Sequence, residues 1–313
     1  MDALKALVKQ PFWIVALAIG GILVALSCAS FDKQEHWSAH APDSYWLLGI
    51  GLGLLGLSAG AYGFAQWLNY ITRKDLLEGA GLDLTKVREV DGVISTRVGG
   101  CEIRIVCGRI EDQRLDAKTA MVLPCNEYFD NLCVEDTGTA LGAYVHRNFD
   151  GDAGEFAELI SKQCVETLGT GTHYQKTDHE RAVSFGIGRC LLLQSPLNHS
   201  VTVALVSTAT QRAGQGLAAR ISYLFDAMRG LVARLADARL ASITMPILGS
   251  GKGGIHAPLA LVGLLLAVAE AARYSEAGRQ LKTVTVVVFQ ADRNQPAVVD
   301  PVVIRRALAL IAD

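Results

Sequence analysis

Two long stretches without a charged side chain dominate the first 74 residues of this 313-residue chain. They cover residues 12–31 and 44–71, and a short polar segment separates them. Twenty residues in an α-helix rise about 30 Å, which is the thickness of the hydrocarbon core of a bilayer. A cleaved signal peptide would have a shorter apolar run, and no second such stretch would follow it at once. The sequence therefore predicts a membrane anchor over residues 1–74, built from two transmembrane helices at about 12–31 and 45–71.

Basic residues outside the two spans predict how the anchor is oriented. Four of them flank the hairpin on its outer sides, against one in the connecting loop: Lys5, Lys9, Arg73 and Lys74, against Lys33. Basic residues near the ends of spans remain on the cytoplasmic side of a membrane. Both termini are therefore predicted to be cytoplasmic.

Glycine is frequent in the second span, where Gly49 and Gly53, and again Gly56 and Gly60, are four residues apart. This spacing lets helix backbones approach closely, so it indicates self-association, although membrane helices also tolerate glycine in general. The spans contain no Asp, Glu, Lys or Arg, which argues against an ion pathway built into the hairpin. The glycine spacing therefore predicts a homo-oligomer.

The remaining residues have the composition of a soluble domain. A glycine-containing linker is predicted over residues 75–100, and a folded ligand-binding domain over 101–313. Apolar runs typical of buried strands alternate there with helical patterns, which predicts an α/β fold with a mainly parallel mixed sheet in a three-layer α/β/α arrangement. Residues 257–269 are uncharged but too few to span a membrane, so they are predicted to form a buried core helix. The net charge of −2 argues against nucleic acid as a partner.

Strands and helices were assigned from these patterns. The predicted strands are 102–107, 119–124, 182–187, 190–194, 201–207, 242–248 and 283–289, and the predicted helices are 137–148, 152–167, 214–237, 257–276 and 301–312. In open α/β sheets, ligands bind beyond the carboxyl ends of the strands.

Two loops at strand ends are candidates for phosphate binding. Residues 137–142 open a predicted helix, and the glycine-rich segment 249–254 separates a strand from a helix. Glycine lets backbone N–H groups converge, and a helix N-terminus adds a positive dipole. The pattern is not a P-loop, because Lys252 is followed by glycines and not by a Ser or Thr that opens a helix.

At this point residues 100–313 resemble a macro domain, the ADP-ribose-binding module. Macro domains carry an NAAN stretch at the end of their third strand, and LPCN ends here with Asn126. Gly142-Ala143-Tyr144 follows TGTAL in the first loop, and Pro246-Ile247-Leu248-Gly249 precedes Ser250-Gly251 in the second. The resemblance implies that the two loops flank a diphosphate and that Asn126 faces the distal ribose.

The predicted ligand is thus an ADP-ribose derivative, with no separate cofactor and no metal. Phe289, at the end of the last strand, is a candidate for stacking on adenine, with core packing as its alternative. The candidate ligand-binding residues are Asn126, Thr137, Gly138, Thr139, Ala140, Leu141, Gly142, Gly249, Ser250, Gly251, Lys252, Gly253, Gly254 and Phe289.

Two departures from the macro-domain pattern bear on function. The Gly-Asp-Ile that holds adenine in the family reads Gly108-Arg109-Ile110 here, with Asp112 two residues further on. Hydrolytic macro domains commonly have Asp in the first loop, where this chain has Leu141. Leucine cannot activate or position water, so no catalytic residue is predicted and binding is favoured over catalysis.

Two membrane helices followed by a macro domain resemble the membrane effector of type II Thoeris anti-phage systems. That resemblance implies a protein of the bacterial inner membrane. A TIR-domain enzyme would make its ADP-ribose-type signal, reported for this class as a histidine adduct. The effector would bind the signal, oligomerise and disrupt the lipid bilayer. Two alternatives remain open, namely a membrane-tethered ADP-ribosyl hydrolase and an anchor whose macro-like domain binds another protein.

Overall fold

The computed structural model describes residues 29–31, 37–39, 52, 81–130, 132–148, 153–177, 179–194, 201–214, 216–292 and 294–313. The chain divides into two compact units, Met1–Gly81 and Leu82–Asp313. The predicted spans and their orientation lie almost entirely outside the described residues. In the first unit, β1 (Ala29–Phe31) pairs antiparallel with β2 (Trp37–Ala39). The first span was predicted to continue to Phe31, but its last three residues are extended because they pair with a strand inside the polar segment that follows the span.

The second unit contains eleven strands and six α-helices among its described residues. The strands are β3 (Arg88–Val90), β4 (Val93–Val98), β5 (Cys101–Gly108), β6 (Thr119–Asn126), β7 (Thr172–Thr177), β8 (Glu180–Ser184), β9 (Cys190–Gln194), β10 (Thr202–Arg212), β11 (Gly216–Ala219), β12 (Ser242–Pro246) and β13 (Thr283–Phe289). The helices are α1 (Leu132–Glu135), α2 (Ala140–Asn148), α3 (Ala153–Leu168), α4 (Ile221–Asp237), α5 (Ala257–Tyr274) and α6 (Pro301–Ile311).

The main sheet has the strand order β11-β10-β6-β12-β13-β5-β4-β3, and β9 also pairs with β10. The five central strands, from β10 to β5, are parallel, whereas β3, β4, β9 and β11 pair antiparallel at the two sides. Ser242 lies beside both Thr119 and Thr283, so neighbouring strands start in register. Their carboxyl ends therefore meet at one edge.

The prediction of a mainly parallel mixed sheet between two helical layers is confirmed. Alternate residues of β6 pack on opposite sides, with Ala120 and Val122 in one hydrophobic cluster and Met121 and Leu123 in the other. The first cluster includes side chains of α4, α5 and α6, and the second includes side chains of α2 and α3. A strand buried on both faces needs apolar residues at consecutive positions, which is why β6 reads as a continuous apolar run.

Three predicted elements differ from the structure. The linker predicted over 75–100 contains β3 and β4, which belong to the main sheet. The helix predicted from residue 214 begins at Ile221, because Gly216–Ala219 forms β11 against the end of β10. The strand predicted at 182–187 is the second strand of a separate hairpin, β7–β8, outside the main sheet.

Among the described residues, one helix, α5, is long and apolar enough to span a bilayer, judged by length and composition. Ten of its 18 residues are buried, among them Leu261, Leu264 and Val268, and they pack in the hydrophobic cluster with α4 and α6. The prediction of a core helix over 257–269 is confirmed.

Candidate ligand-binding site

A cavity of about 410 Å³ lies where the parallel strands end. Its walls come from the ends of β5, β6, β12 and β13 and from the loops that follow them. The position is the one expected for a ligand in an open parallel sheet, beyond the carboxyl ends of the strands.

The first loop leads into α2 and supplies Thr137, Gly138, Thr139 and Ala140 to the cavity wall. Thr139 caps the helix, since its Oγ1 accepts a hydrogen bond from the Gly142 N–H at 3.0 Å and donates one to the Asp136 carbonyl at 2.8 Å. This is the usual way in which a threonine satisfies free N–H groups in a first helical turn. The loop thus presents the N-terminal end of a helix to the cavity.

The second loop supplies Gly249, Ser250, Gly251, Lys252 and Gly253. Gly249 has φ +77°, a conformation that glycine adopts readily and other residues rarely. The Ser250 hydroxyl donates to the Ile247 carbonyl at 2.9 Å, which fixes the start of the loop. A Cβ added at Gly251 would meet no atom within 4 Å, so this residue faces open space.

One ion pair joins the two loops beside the cavity. Lys252 Nζ lies 3.0 Å from Asp136 Oδ2, and Asp136 Oδ1 accepts a hydrogen bond from the Gly138 N–H at 2.9 Å. The pKa of the Asp136 carboxyl is held below its usual value, mainly by the hydrogen bond from Lys252 and next by the one from the Gly138 N–H. Lys252 brings a positive charge to the same place as the helix N-terminus.

At the β5 and β13 side, the cavity has an apolar wall and a carboxylate. Phe289 and Val298 are both about half exposed, and Ile110 is buried beside them on the cavity wall. Glu111 also lines the cavity, largely buried, with its Oε1 at 3.5 Å from Arg109 Nη1. Asp112, which lies two residues beyond Ile110, is not on the cavity wall and pairs at 4.0 Å with Arg147.

Ten of the fourteen predicted residues line this cavity. They are Thr137, Gly138, Thr139, Ala140, Gly249, Ser250, Gly251, Lys252, Gly253 and Phe289. Their contact with a ligand stays a prediction, but the folding of the sheet brings them together.

The other four predicted residues are not on the cavity wall. Asn126 is 1% exposed, and its side chain accepts from the Tyr128 N–H and donates to Asp130, both at 3.0 Å, in a local turn. Leu141 is buried in the hydrophobic cluster beneath α2. A Cβ at Gly142 would lie 2.1 Å from the Asp136 carbonyl, so that glycine permits close packing, and Gly254 forms the end of the loop with φ +80°.

Several residues on the cavity wall were not predicted from the sequence. They are Glu111, Thr208, Ala209, Leu217 and Val298. Of these, Glu111 could have been predicted from the sequence as a cavity residue, because it is a carboxylate directly after the Gly-Arg-Ile that replaces the family's Gly-Asp-Ile.

A second cavity, of about 720 Å³, lies between α3 and the β7–β8 hairpin. Its wall includes Tyr128, Phe129 and Lys176, and the Lys176 ammonium is buried at 2.7 Å from Asp130 Oδ2. Beside it the buried carboxylate of Glu127 forms an ion pair with Arg212, whose side chain is 29% exposed, at the end of β10. These polar contacts hold the hairpin against the strand ends.

Comparison with known families decides which kind of protein has this cavity. The sequence model of the macro domain of the Thoeris protein ThsA matches residues 103–288, more than half of the chain. The chain belongs to the ThsA macro-domain family. The match begins in β5 and ends in β13, so it includes both loops of the cavity.

Solved macrodomain structures are similar to this chain at low sequence identity. The Oceanobacillus iheyensis macrodomain with ADP is 14% identical, with a TM-score of 0.45 over 64% of this chain and 90% of that one. The macrodomain of Thermus aquaticus DarG is 20% identical, with a TM-score of 0.38 over 59% and 97%. The Trypanosoma brucei macrodomain in complex with ADP-ribose is 17% identical, with a TM-score of 0.41 over 60% and 64%. Curated proteins give no match.

Proposed function

We propose that this ThsA-family protein is a membrane-anchored sensor whose cytoplasmic macro domain binds an ADP-ribose-type signal. The observation that carries the proposal is the cavity in which two glycine loops, a helix N-terminus and Lys252 converge. Converging N–H groups, a helix dipole and a lysine together suit a diphosphate. The cavity volume lies within the range of about 300–1,000 Å³ that is common for small-molecule sites.

The strand order supports one orientation for such a ligand. The two glycine loops follow β6 and β12, in the middle of the sheet, so a diphosphate would lie there. Phe289 ends β13 and Glu111 follows β5, both to one side of these loops. There a flat base could pack on the Phe289 ring and donate an N–H to the Glu111 carboxylate. Thr208 and Leu217, in β10 and β11, would then surround the distal group. Asn126 is buried in its own turn, and the proposal therefore gives it no ligand contact.

Isothermal titration of the detergent-solubilised full chain tests the binding proposal. We expect saturable heat with ADP-ribose or with its histidine adduct, because either ligand places a diphosphate between the two loops. Adenosine is the control, since it has the base and no phosphate, and we expect it to bind more weakly. The absence of heat with every diphosphate would favour an anchor whose domain binds another protein.

Within this proposal, the N-terminal hairpin makes the sensor an effector in the bacterial inner membrane. A TIR-domain enzyme would supply the signal, which is what the resemblance to type II Thoeris effectors implies. A signal that binds only in the cytoplasm can act on a bilayer by changing how subunits are arranged. It must then bind the assembled state more tightly, by about 5.5 kcal/mol for a shift from 1:99 to 99:1.

The glycines of the second predicted span offer a test of the membrane step. We expect Gly56→Leu with Gly60→Leu to abolish membrane depolarisation in cells that receive the signal, since leucine would hold the helices apart. The ligand should still bind the purified variant, with the affinity of the unassembled state, because the cytoplasmic domain is unchanged. Gly51→Leu is the control, because a helical spacing of two residues from Gly53 puts Gly51 on the opposite face. Depolarisation by the double variant at the wild-type level would contradict the packing role.

The hydrolase alternative has one observation in its favour, because the Glu111 carboxylate lines the cavity and the Asp136 carboxylate contacts two residues that line it, Gly138 and Lys252. Each of them is paired with a cation, Arg109 at 3.5 Å and Lys252 at 3.0 Å, and neither is an unpaired base. We therefore expect the protein to leave ADP-ribosylated substrates intact over hours, as followed by chromatography. Multiple turnovers that are lost in Asp136→Asn would instead establish the hydrolase.

A further inference from the structure

The Asp136 carboxylate occupies donors that a phosphate would also use. Its Oδ1 accepts from the Gly138 N–H at 2.9 Å, and its Oδ2 lies 3.0 Å from Lys252 Nζ. Both donor residues line the cavity. The carbonyl of the same residue accepts from the Thr139 N–H at 2.9 Å, so Asp136 satisfies two successive N–H groups of the first loop.

We propose that Asp136 is a specificity-determining residue, an internal anion that competes with the ligand's phosphates for Gly138 and Lys252. The inference rests on the proposed function, since it takes this cavity to be the diphosphate site. A ligand has to displace the carboxylate from Lys252 before its own oxygens can use both donors. The residue would thereby discriminate among anionic ligands, in favour of a full diphosphate, whose charge exceeds that of one carboxylate, and against singly charged groups.

The surroundings of the pair permit this exchange. The Asp136 and Lys252 side chains are 39% and 61% exposed, so both can turn into water without leaving a buried charge unpaired. Ion pairs at such positions contribute little to stability and are screened by salt. The bond between the Asp136 carbonyl and the Thr139 N–H belongs to the backbone and does not need the side chain to remain in place.

Asp136→Asn separates the charge of this residue from its shape. Asparagine keeps an oxygen that can accept from the Gly138 N–H, and it has no charge to hold Lys252. In titration of the full chain in detergent with ADP-ribose at low salt, we expect the variant to bind about fivefold more tightly than wild type. The gain should be smaller in 0.5 M salt, because screening weakens the competing pair.

Asp237→Asn is the matched control, because Asp237, in α4, also pairs with a basic side chain, Arg234 at 3.9 Å, and is not on the cavity wall. It changes the net charge equally, and we expect wild-type affinity. If Asp136→Asn does not fold, Asp136→Ser is used in its place, because serine also keeps an acceptor for the Gly138 N–H.

The outcomes distinguish this inference from the function on which it rests. Wild-type or weaker ADP-ribose affinity in a folded Asp136→Asn protein would overturn the competition and make Asp136 a residue that positions Lys252. An equal gain in Asp237→Asn would also overturn it, because the effect would then come from net charge. No binding of ADP-ribose or of its histidine adduct by wild type or by any variant would reject the proposed function, and the inference with it.

Discussion

Arg212→Met is expected to lower the stability of the macro domain by about 3 kcal/mol. Arg212 donates to both carboxylate oxygens of Glu127, whose side chain is 3% exposed, with Nη2 at 3.0 Å from Oε2. Without the guanidinium, a buried carboxylate would keep two partners, the Ser184 hydroxyl and the Gln211 N–H. Breaking a buried pair from one side is costly because the remaining charge has no counterion.

Thermal unfolding of the detergent-solubilised chain measures this effect. A loss of 3 kcal/mol corresponds to a midpoint lower by about 6–12 °C for a domain of this size. Arg229→Met is the control, because that arginine is 70% exposed and its pair with Asp226, at 3.4 Å, is on the surface. Adding Glu127→Gln to Arg212→Met should restore part of the stability, since no buried charge is then left unpaired. Equal midpoints for Arg212→Met and Arg229→Met would contradict the role given to the buried pair.

The central strands were predictable because the residues of each strand themselves show that it is buried on both faces. A strand buried on both faces needs consecutive apolar residues, and β6, β12 and β13 each show such a run. Strands β3 and β4 lie at one side of the sheet and were missed, because β3 has three exposed residues and β4 alternates buried positions with more exposed ones, so neither has a continuous apolar run. Strand β11 was missed for a different reason, since its pairing with β10 and not its own composition makes it extended.

The two loops of the site were predictable together for the same reason. Both follow strands of one parallel sheet, so a correct strand assignment places them at one edge. The direction of a single side chain depends on the local backbone, which the sequence pattern indicates less clearly. Asn126 turns back to the Tyr128 N–H, as short polar side chains often do after a strand. Leu141 could have been assigned to the core, because it shares an apolar helical face with Tyr144 and Val145.

Gly251→Val is expected to remove diphosphate binding, with a loss of affinity of about a hundredfold or more. Gly251 lines the cavity, and a Cβ added there would meet no protein atom within 4 Å. The branched side chain, which is stiff at χ1, would therefore occupy space that the ligand needs. Overpacking of this kind costs about 1–3 kcal/mol, and 2.7 kcal/mol corresponds to a factor of a hundred.

The same open surroundings make this prediction separable from unfolding. At Gly253, in contrast, a Cβ would lie 2.8 Å from both the Ala219 Cβ and the Gly249 carbonyl oxygen, so a substitution there would disturb the loop itself. We expect Gly251→Val to keep the wild-type unfolding midpoint while ADP-ribose no longer produces heat on titration. Gly251→Ala, with one methyl group, should lose less affinity than valine. Wild-type affinity in a folded Gly251→Val protein would exclude this loop from the site, because no ligand between the loops could avoid the added side chain.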